Sequence, residues 1–233
     1  MQGIPGRNLT TAAHAMVIAS VILASTAAPG AETLIPHSAL RLDVLLTVSP
    51  QLSSLSRRTL IGEAERIWGR EQVNLEWPAA AGGVDRPSAP LRVLVIARPQ
   101  AAPVDDGRWP VAELVPHAED RALAIASING ARRVVNEAAR YAVLDFPGME
   151  DYRLGLVLGR AVAHEIGHFL LATGTHAEHG LMRASVGAVE FASVGFDTFR
   201  LDEDASRWIR QRLAVEGPVV RTLRTAGFSY ARP

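Results

Sequence analysis

The first half of the chain alternates between short apolar runs and one segment with helical periodicity. Three apolar runs, at residues 40–48, 73–77 and 91–97, predict strands, and the third is continuous enough to be buried on both faces. Between the first two, apolar residues recur at helical spacing from Ser53 or Ser54 to about Arg70. This order predicts a mixed sheet with a helix across one face.

In the middle of the chain, residues typical of turns are more prominent than any periodic apolar pattern. Residues 79–90 and 100–120 are rich in proline, glycine or acidic residues, and we expect both to be loops. Residues 122–128 alternate small and large apolar side chains and predict a strand. Asn129-Gly130 then indicates a hairpin turn, with residues 133–136 as the return strand and a short helix over 137–144. The 122–128 strand is either an edge strand open to an extended peptide or an ordinary hairpin strand.

A long apolar helix is expected from about Glu150 to about Ala172, and Gly174 is its expected C-cap. Small residues recur in it every four positions and form a stripe that lets the helix lie close to a neighbouring element. The stripe consists of Gly155, Gly159, Ala163 and Gly167. After it we expect a loop over 183–197 and a terminal helix over 201–215 with acidic residues in its first turn.

The N-terminus has the pattern of an export signal. Arg7 precedes an apolar run at 12–24, and small residues follow at 25–31, so we predict a signal peptide over residues 1–31. The run is shorter than the about 20 residues of a membrane span, which favours a cleaved signal over a retained anchor. We expect no second apolar run to be long enough to cross a membrane. We therefore expect a secreted or periplasmic protein with a single domain over residues 32–233.

Charge and composition narrow the function classes. The chain has 233 residues, 48% of them hydrophobic, and a formal net charge of zero. Balanced charge argues against nucleic acid or an anionic membrane surface as the main partner. The absence of cysteine excludes disulfides and the usual cysteine-based structural zinc sites.

Four of the seven histidines fall within residues 164–179, and two of them form the pattern His164-Glu165-x-x-His168. Positions i and i+4 lie on one helix face, so the two imidazoles can meet at one point, as zinc requires. Glu165 points about 100° round the helix, where a general base near a metal-activated water belongs. A chance match on a solvated helix face is the alternative. The flanking residues are apolar, however, so we expect this helix to be buried. Because buried polar groups without partners are costly, a bound metal explains the two histidines and the glutamate better than a chance match does.

Two histidines do not complete a zinc site, and a third ligand is expected downstream. His176 is the leading candidate because it follows the predicted turn at Gly174 and can return towards the helix. His179 and Glu178 remain alternatives. Three histidines with one position open to water are typical of a hydrolytic site for one Zn²⁺ ion.

These residues resemble the zincin metalloproteases and, within them, the metzincins, as a divergent bacterial member. The matching residues are His164 to His168, then Gly174 and His176, then Gly180-Leu181-Met182. The resemblance implies His164, His168 and His176 as zinc ligands, Glu165 as general base and Met182 as the Met-turn residue. It also implies an α+β zincin-like fold: a twisted mixed sheet packed on an active-site helix, with a small C-terminal helical subdomain.

The chain departs from the metzincin pattern in its spacing. That pattern would place glycine at Leu171 and histidine at Gly174, so the linker to the third ligand is longer here. Met182 follows His176 with five residues between them, which is a short interval for this family.

The expected function is that of a secreted zinc-dependent metallopeptidase acting on a peptide or protein substrate. Glu165 would take a proton from the activated water and pass it to the leaving amine. Two alternatives stay open: a non-catalytic zinc-binding module, and a zinc hydrolase acting on a non-protein amide.

Overall fold

Five strands form a single mixed sheet that packs on helices. The structure is a computed structural model, and it describes residues 40–78, 91–97, 111–117, 121–141, 148–195 and 197–216, all within the unit His37–Pro233. The predicted signal peptide and the predicted loop at 79–90 lie outside the described residues. The expected α+β class, with a mixed sheet packed on the long helix, is confirmed.

The strands lie in the order β2-β1-β3-β5-β4. β1 pairs in parallel with β2 and β3, β3 pairs in parallel with β5, and β4 pairs antiparallel with β5. β4 therefore forms one edge of the described sheet. The strand bounds are β1 Leu40–Val48, β2 Val73–Glu76, β3 Leu91–Ile96, β4 Ala112–His117 and β5 Arg121–Ser127.

Alternate residues of each central strand face the helices, as a two-residue period requires. In β3, Leu91, Val93 and Val95 are buried, whereas Leu94 and Ile96 on the opposite face are only half-buried. The expectation that this strand is buried on both faces is therefore only half right. In β5 the buried positions are alanines (Ala122, Ala124 and Ala126).

The helices have periodic apolar faces that pack against this sheet and against one another. Ser53 caps the first helix by accepting a hydrogen bond from the Ser56 amide at 3.1 Å, as predicted. The strongest helix–helix packing joins the first and third helices, and the third helix also contacts β4 and β5. The bounds are α1 Ser54–Gly69, α2 Ile128–Tyr141, α3 Glu150–Leu171, α4 Ala188–Ala192 and α5 Glu203–Glu216.

The predicted hairpin after β5 is wrong, because a helix begins there. Ser127 Oγ accepts a hydrogen bond from the Gly130 amide at 3.1 Å, as an N-cap residue does. From Ile128 onward, buried residues recur at helical spacing through Val135 and Ala138. Asn129-Gly130 therefore lies in the first turn of α2, and the expected return strand is part of that helix.

The predicted loop over 100–120 is also wrong where it is described, since it contains β4. Pro116 suggested a loop, but proline is tolerated on an edge strand where its missing N–H faces away from the sheet. Because β4 pairs outside β5, the 122–128 strand is not the sheet edge. The loop expected over 183–197 contains the short helix α4.

α3 is the central helix of the fold. By length and composition it could cross a membrane, contrary to the expectation that no second apolar run could do so. However, 89% of the most apolar 18-residue stretch of this helix is buried inside the fold. Its apolar character is thus explained by packing against α1, α2 and the sheet.

α1 and α3 lie close together at two glycines of α3, where no side chain separates the helices. A Cβ atom on Gly159 would lie 2.7 Å from the Leu60 carbonyl oxygen and 2.8 Å from Glu63 Cβ, and one on Gly155 would lie 2.6 Å from a carbonyl of α1. The indole of Trp68 also donates to the Ala163 carbonyl at 3.1 Å across this contact. The stripe of small residues therefore sets the distance between the two helices.

We expect Gly159→Ala to lower the free energy of unfolding by about 1–3 kcal/mol, because the backbone of α1 cannot move away cheaply. Gly62→Ala is the matched control. Gly62 lies in α1 with nothing within 4 Å of an added Cβ, and there alanine should stabilise by about 0.5–1 kcal/mol. Urea unfolding of both variants measures the difference. Equal effects of the two changes would contradict the close packing described above.

A buried ion pair ties α1, α3 and α4 together. Arg160, 2% exposed, donates to Glu63 at 2.7 Å and to the carbonyls of Glu190 and Phe191, and its guanidinium lies over the Phe199 ring. Burial alone would raise the pKa of Glu63, but hydrogen bonds from Arg66 and Arg160 outweigh it and hold that pKa below its usual value. The charge of Glu63 is thus retained at neutral pH, and the pair holds the C-terminal segment against α3.

Candidate metal centre

Three histidines converge at the C-terminal end of α3. His164 and His168 lie one turn apart on the helix, and His176 lies on the segment that follows it. Their ring centroids are 4.6, 5.3 and 5.0 Å apart, and one nitrogen of each lies within 4.8 Å of the others. Among the described residues, this is the one group of three or more side chains that could hold a metal ion.

The chain reverses after α3 two residues earlier than predicted. Ala172, not Gly174, adopts the left-handed conformation with φ of 50°, and its N–H bonds the last carbonyls of the helix. The Thr173 amide then donates to the His168 carbonyl at 3.3 Å. This closure turns the chain at once and allows His176 to face the helix.

The hydrogen bonds of the two helical histidines fix their tautomers. His164 Nδ1 lies 2.7 Å from the Leu181 carbonyl oxygen, and His168 Nδ1 lies 2.7 Å from the Thr173 carbonyl oxygen. A carbonyl only accepts, so each Nδ1 carries the proton and each Nε2 keeps a free lone pair. The two Nε2 atoms face one another at 3.0 Å.

Two lone pairs at that distance cannot form a hydrogen bond, whereas a cation shared between them would satisfy both. Burial lowers the pKa of His164 to about 4 and also lowers the pKa values of His168 and His176. All three imidazoles are therefore neutral at pH 7, which is the form that binds metal. The donor set of three neutral histidines fits Zn²⁺.

The two alternative third ligands do not join this group. His179 and Glu178 are both exposed and lie outside the cluster of ligand atoms, whereas His176 belongs to it. The structure thus brings together His164, His168 and His176, the set preferred from the sequence.

Glu165 lies on α3 beside the sheet edge and is 6% exposed. Its carboxylate accepts a hydrogen bond from the Leu114 backbone amide of β4. Burial, with a smaller contribution from the nearby charge of Glu113, raises the pKa of Glu165 to about 8. This contact with Leu114 could not be predicted from the sequence, since β4 itself was not.

Met182 is buried and packs against α3 at a glycine, which has no side chain. Any Cβ atom on Gly167, which lies between the two helical histidines, would overlap Met182 Sδ. The Met182 carbonyl accepts a hydrogen bond from the Ala177 amide at 2.9 Å. This bond links Met182 to Ala177, the residue that follows His176, within one short turn.

This turn, residues 176–183, is anchored to the last third of the chain. The Leu181 amide donates to the Arg200 carbonyl at 2.6 Å, and the Leu181 carbonyl accepts from His164 Nδ1 at 2.7 Å. Arg183 donates to the Gly180 carbonyl at 3.1 Å and pairs with Glu190 at 2.5 Å. Sequence reasoning missed these anchors, because most of them are backbone groups without a residue signature.

We expect Glu190→Ala to weaken zinc binding by about 10-fold, the lower end of the range for outer-shell changes, because Arg183 would no longer hold the turn in place. Glu203→Ala is the matched control, since Glu203 pairs with Arg207 at 3.6 Å on an exposed helix face. Competition with a chromophoric chelator measures both affinities. Wild-type affinity in Glu190→Ala would show that the pair does not position the centre.

Comparisons with known proteins give a likeness in structure but none in sequence. No protein-family model and no curated protein matches the chain. Among solved structures, the chain is similar to the crystal structure of archaemetzincin (amzA) from Methanopyrus kandleri, with 15% sequence identity and a TM-score of 0.45, over 78% of this chain and 99% of that chain. A likeness of this strength assigns no reaction, so the function has to be argued from the geometry of the site.

Proposed function

We propose that the protein is a secreted zinc-dependent metallopeptidase, with His164, His168 and His176 as zinc ligands and Glu165 as general base. One observation carries the proposal: the free Nε2 atoms of His164 and His168 face each other next to His176, on the helix that also bears the buried Glu165 carboxylate. Three protein ligands leave a fourth position for water, which is the arrangement of catalytic rather than structural zinc sites.

His164, His168 and His176 would hold the zinc ion, which would supply Lewis-acid chemistry for activating water and polarising a carbonyl. The protein supplies the proton transfer. Burial raises the pKa of Glu165 to about 8, and a divalent cation held by the histidines would lower that pKa and favour the carboxylate. As a carboxylate, Glu165 accepts a proton from water and delivers it to the leaving amine.

The surrounding groups hold this machinery in place. The carbonyls of Leu181 and Thr173 keep the protons of His164 and His168 on Nδ1, so that both Nε2 atoms stay available. Met182, as the proposed Met-turn residue, forms a buried apolar floor against Gly167 under the helical ligands.

The position of Glu165 favours a peptide as the substrate. Its hydrogen bond to the Leu114 amide places the base beside β4, the edge strand of the described sheet. An extended peptide can add to such an edge through main-chain hydrogen bonds. A small non-protein amide would have no use for this edge. Export is supported by the signal pattern over residues 1–31.

The direct test is metal removal and restoration on the full chain freed of its signal. We expect chelation to abolish cleavage of an unbiased peptide library, read by mass spectrometry, and one equivalent of zinc to restore it. A protein that binds one zinc ion and cleaves no peptide would support the non-catalytic module. Cleavage confined to non-peptide amides would support the other hydrolase.

A further inference from the structure

A buried carboxylate on α1 fixes the position of a buried guanidinium on α3. Glu63, 6% exposed, accepts hydrogen bonds from Nε and Nη2 of Arg66, one turn further along α1, at 2.7 and 2.9 Å. It also accepts a bond from Arg160 Nε at 2.7 Å. Two charged partners hold the carboxylate in one orientation, so the Arg160 guanidinium has a fixed anchor outside its own helix.

The other side of the same guanidinium binds the end of α4. Arg160 Nη1 donates to the carbonyl oxygens of Glu190 at 3.1 Å and Phe191 at 2.8 Å, and the guanidinium lies 4.4 Å from the centre of the Phe199 ring. The last carbonyls of a helix have no partner within that helix, and a positive charge beside them is favourable. Because Arg160 is buried, water does not replace these bonds, and Arg160 therefore sets where α4 lies.

α4 is joined in turn to the candidate metal centre. The Glu190 carboxylate pairs with Arg183 at 2.5 Å, and Arg183 donates to the Gly180 carbonyl at 3.1 Å. The next carbonyl along the chain, that of Leu181, accepts from His164 Nδ1 at 2.7 Å. Hydrogen bonds, ion pairs and one peptide link thus lead without a gap from the anchored guanidinium to the bond that orients a proposed zinc ligand.

We infer that Arg160 is a positioning residue of the metal centre, which acts through α4 and Arg183 on the Leu181 carbonyl and so on the His164 ring. This inference rests on the zinc ligation of the proposed function. Loss of an outer partner of a ligating histidine typically weakens metal binding by about 10–100-fold, and a displaced Leu181 carbonyl is a partial loss of that kind.

Arg160→Lys is the test variant. It keeps the positive charge one helical turn from His164, but a single ammonium nitrogen cannot take the places of both Nε and Nη1. We expect zinc binding by the full chain to weaken by about 10-fold, measured by chelator competition. The visible spectrum of the cobalt-substituted variant should also differ from that of the wild type, since the ligand geometry changes.

Arg66→Lys is the matched control. Arg66 bonds the same Glu63 carboxylate and, among the described residues, no group of α4. Its replacement should therefore leave the zinc affinity within about twofold of the wild type, as other changes outside the centre do. Equal weakening in Arg66→Lys and Arg160→Lys would mean that only the packing around Glu63 matters, and the inference would then be wrong.

A double-mutant cycle with Glu190→Ala tests the route from Arg160 to the turn. Coupling between separated groups is established by such a cycle and not by contacts alone. Glu190→Ala removes the pair with Arg183, so in that background Arg160→Lys should weaken zinc binding no further. Weakening by the product of the two single effects would show that Arg160 acts independently of the turn, and would overturn the inference.

Metal-free unfolding of each variant separates positioning from misfolding. If Arg160→Lys does not fold, Glu63→Gln takes its place, because the amide weakens the anchor of the same guanidinium, and zinc affinity should fall by about 3-fold. Unchanged affinity in that folded variant would count against the inference. A wild type that binds no zinc would overturn both this inference and the proposed function. A wild type that binds zinc and cleaves no peptide would contradict the proposed function alone, because every readout here is the state of the metal centre.

Discussion

Glu165→Gln is expected to lower kcat for peptide hydrolysis by about 10²–10⁴-fold while the zinc content stays unchanged. The amide has the shape of the carboxylate and can still accept the Leu114 N–H, but it cannot take a proton from water. Since Glu165 is buried and is not a member of the histidine cluster, the ligands keep their positions. Steady-state kinetics and elemental analysis of the purified variant measure the two quantities.

Glu178→Gln is the control for this change. Glu178 is an exposed carboxylate close in sequence to His176 and outside the cluster, so its loss should leave kcat within twofold of the wild type, at about the ±0.5 kcal/mol level of surface substitutions. Hydrolysis by Glu165→Gln at the wild-type rate would show that another group is the base. Loss of zinc from that variant would show instead that Glu165 contributes to the metal centre.

His176→Ala is expected to weaken zinc binding by more than the about 10–100-fold that follows loss of an outer-shell partner. It removes one of the three imidazoles whose nitrogens lie within 4.8 Å of one another. His179→Ala should bind zinc as the wild type does, because His179 is exposed and lies outside that group. Chelator competition gives the affinities, and the visible spectrum of the cobalt-substituted protein reports the coordination number.

The metal-free stability of these two variants separates ligand loss from misfolding. His176 is exposed, so the apo form of His176→Ala should unfold within about 0.5 kcal/mol of the apo wild type. Retained zinc in His176→Ala together with lost zinc in His179→Ala would overturn the ligand assignment. Lost zinc in both would mean that the turn over 176–183 depends on more than one histidine.

Local periodicity was enough to predict the strands and helices in which apolar residues recur at a regular spacing without interruption. β1, β2, β3 and α1 follow the apolar pattern within one or two residues of the predicted bounds, and α3 begins at the predicted Glu150. In each of these elements the buried residues recur at the spacing of one strand face or one helix face. The hydrophobic effect and the backbone period therefore lead to the same element.

The predictions failed where a local turn signal competed with tertiary packing. Asn129-Gly130 is a strong hairpin dipeptide, but Ser127 caps a helix there and the apolar face of α2 packs against α3 and α4. Pro116 suggested a loop, but an edge strand accepts proline on its outward side. Neither outcome could be derived from the residues alone, because each depends on where the segment lies in the sheet.

The sequence by itself determined which side chains of α3 lie together. His164, Glu165 and His168 at helical spacing within an apolar helix place two imidazoles on one face and the carboxylate beside them, because the helix period is fixed. Tertiary structure alone decided the rest. The left-handed Ala172 and the anchored turn bring in His176, and the Leu181 carbonyl orients His164. β4 lies beside Glu165 through a backbone contact. These last features depend on backbone groups that every residue carries, so only the path of the folded chain distinguishes them.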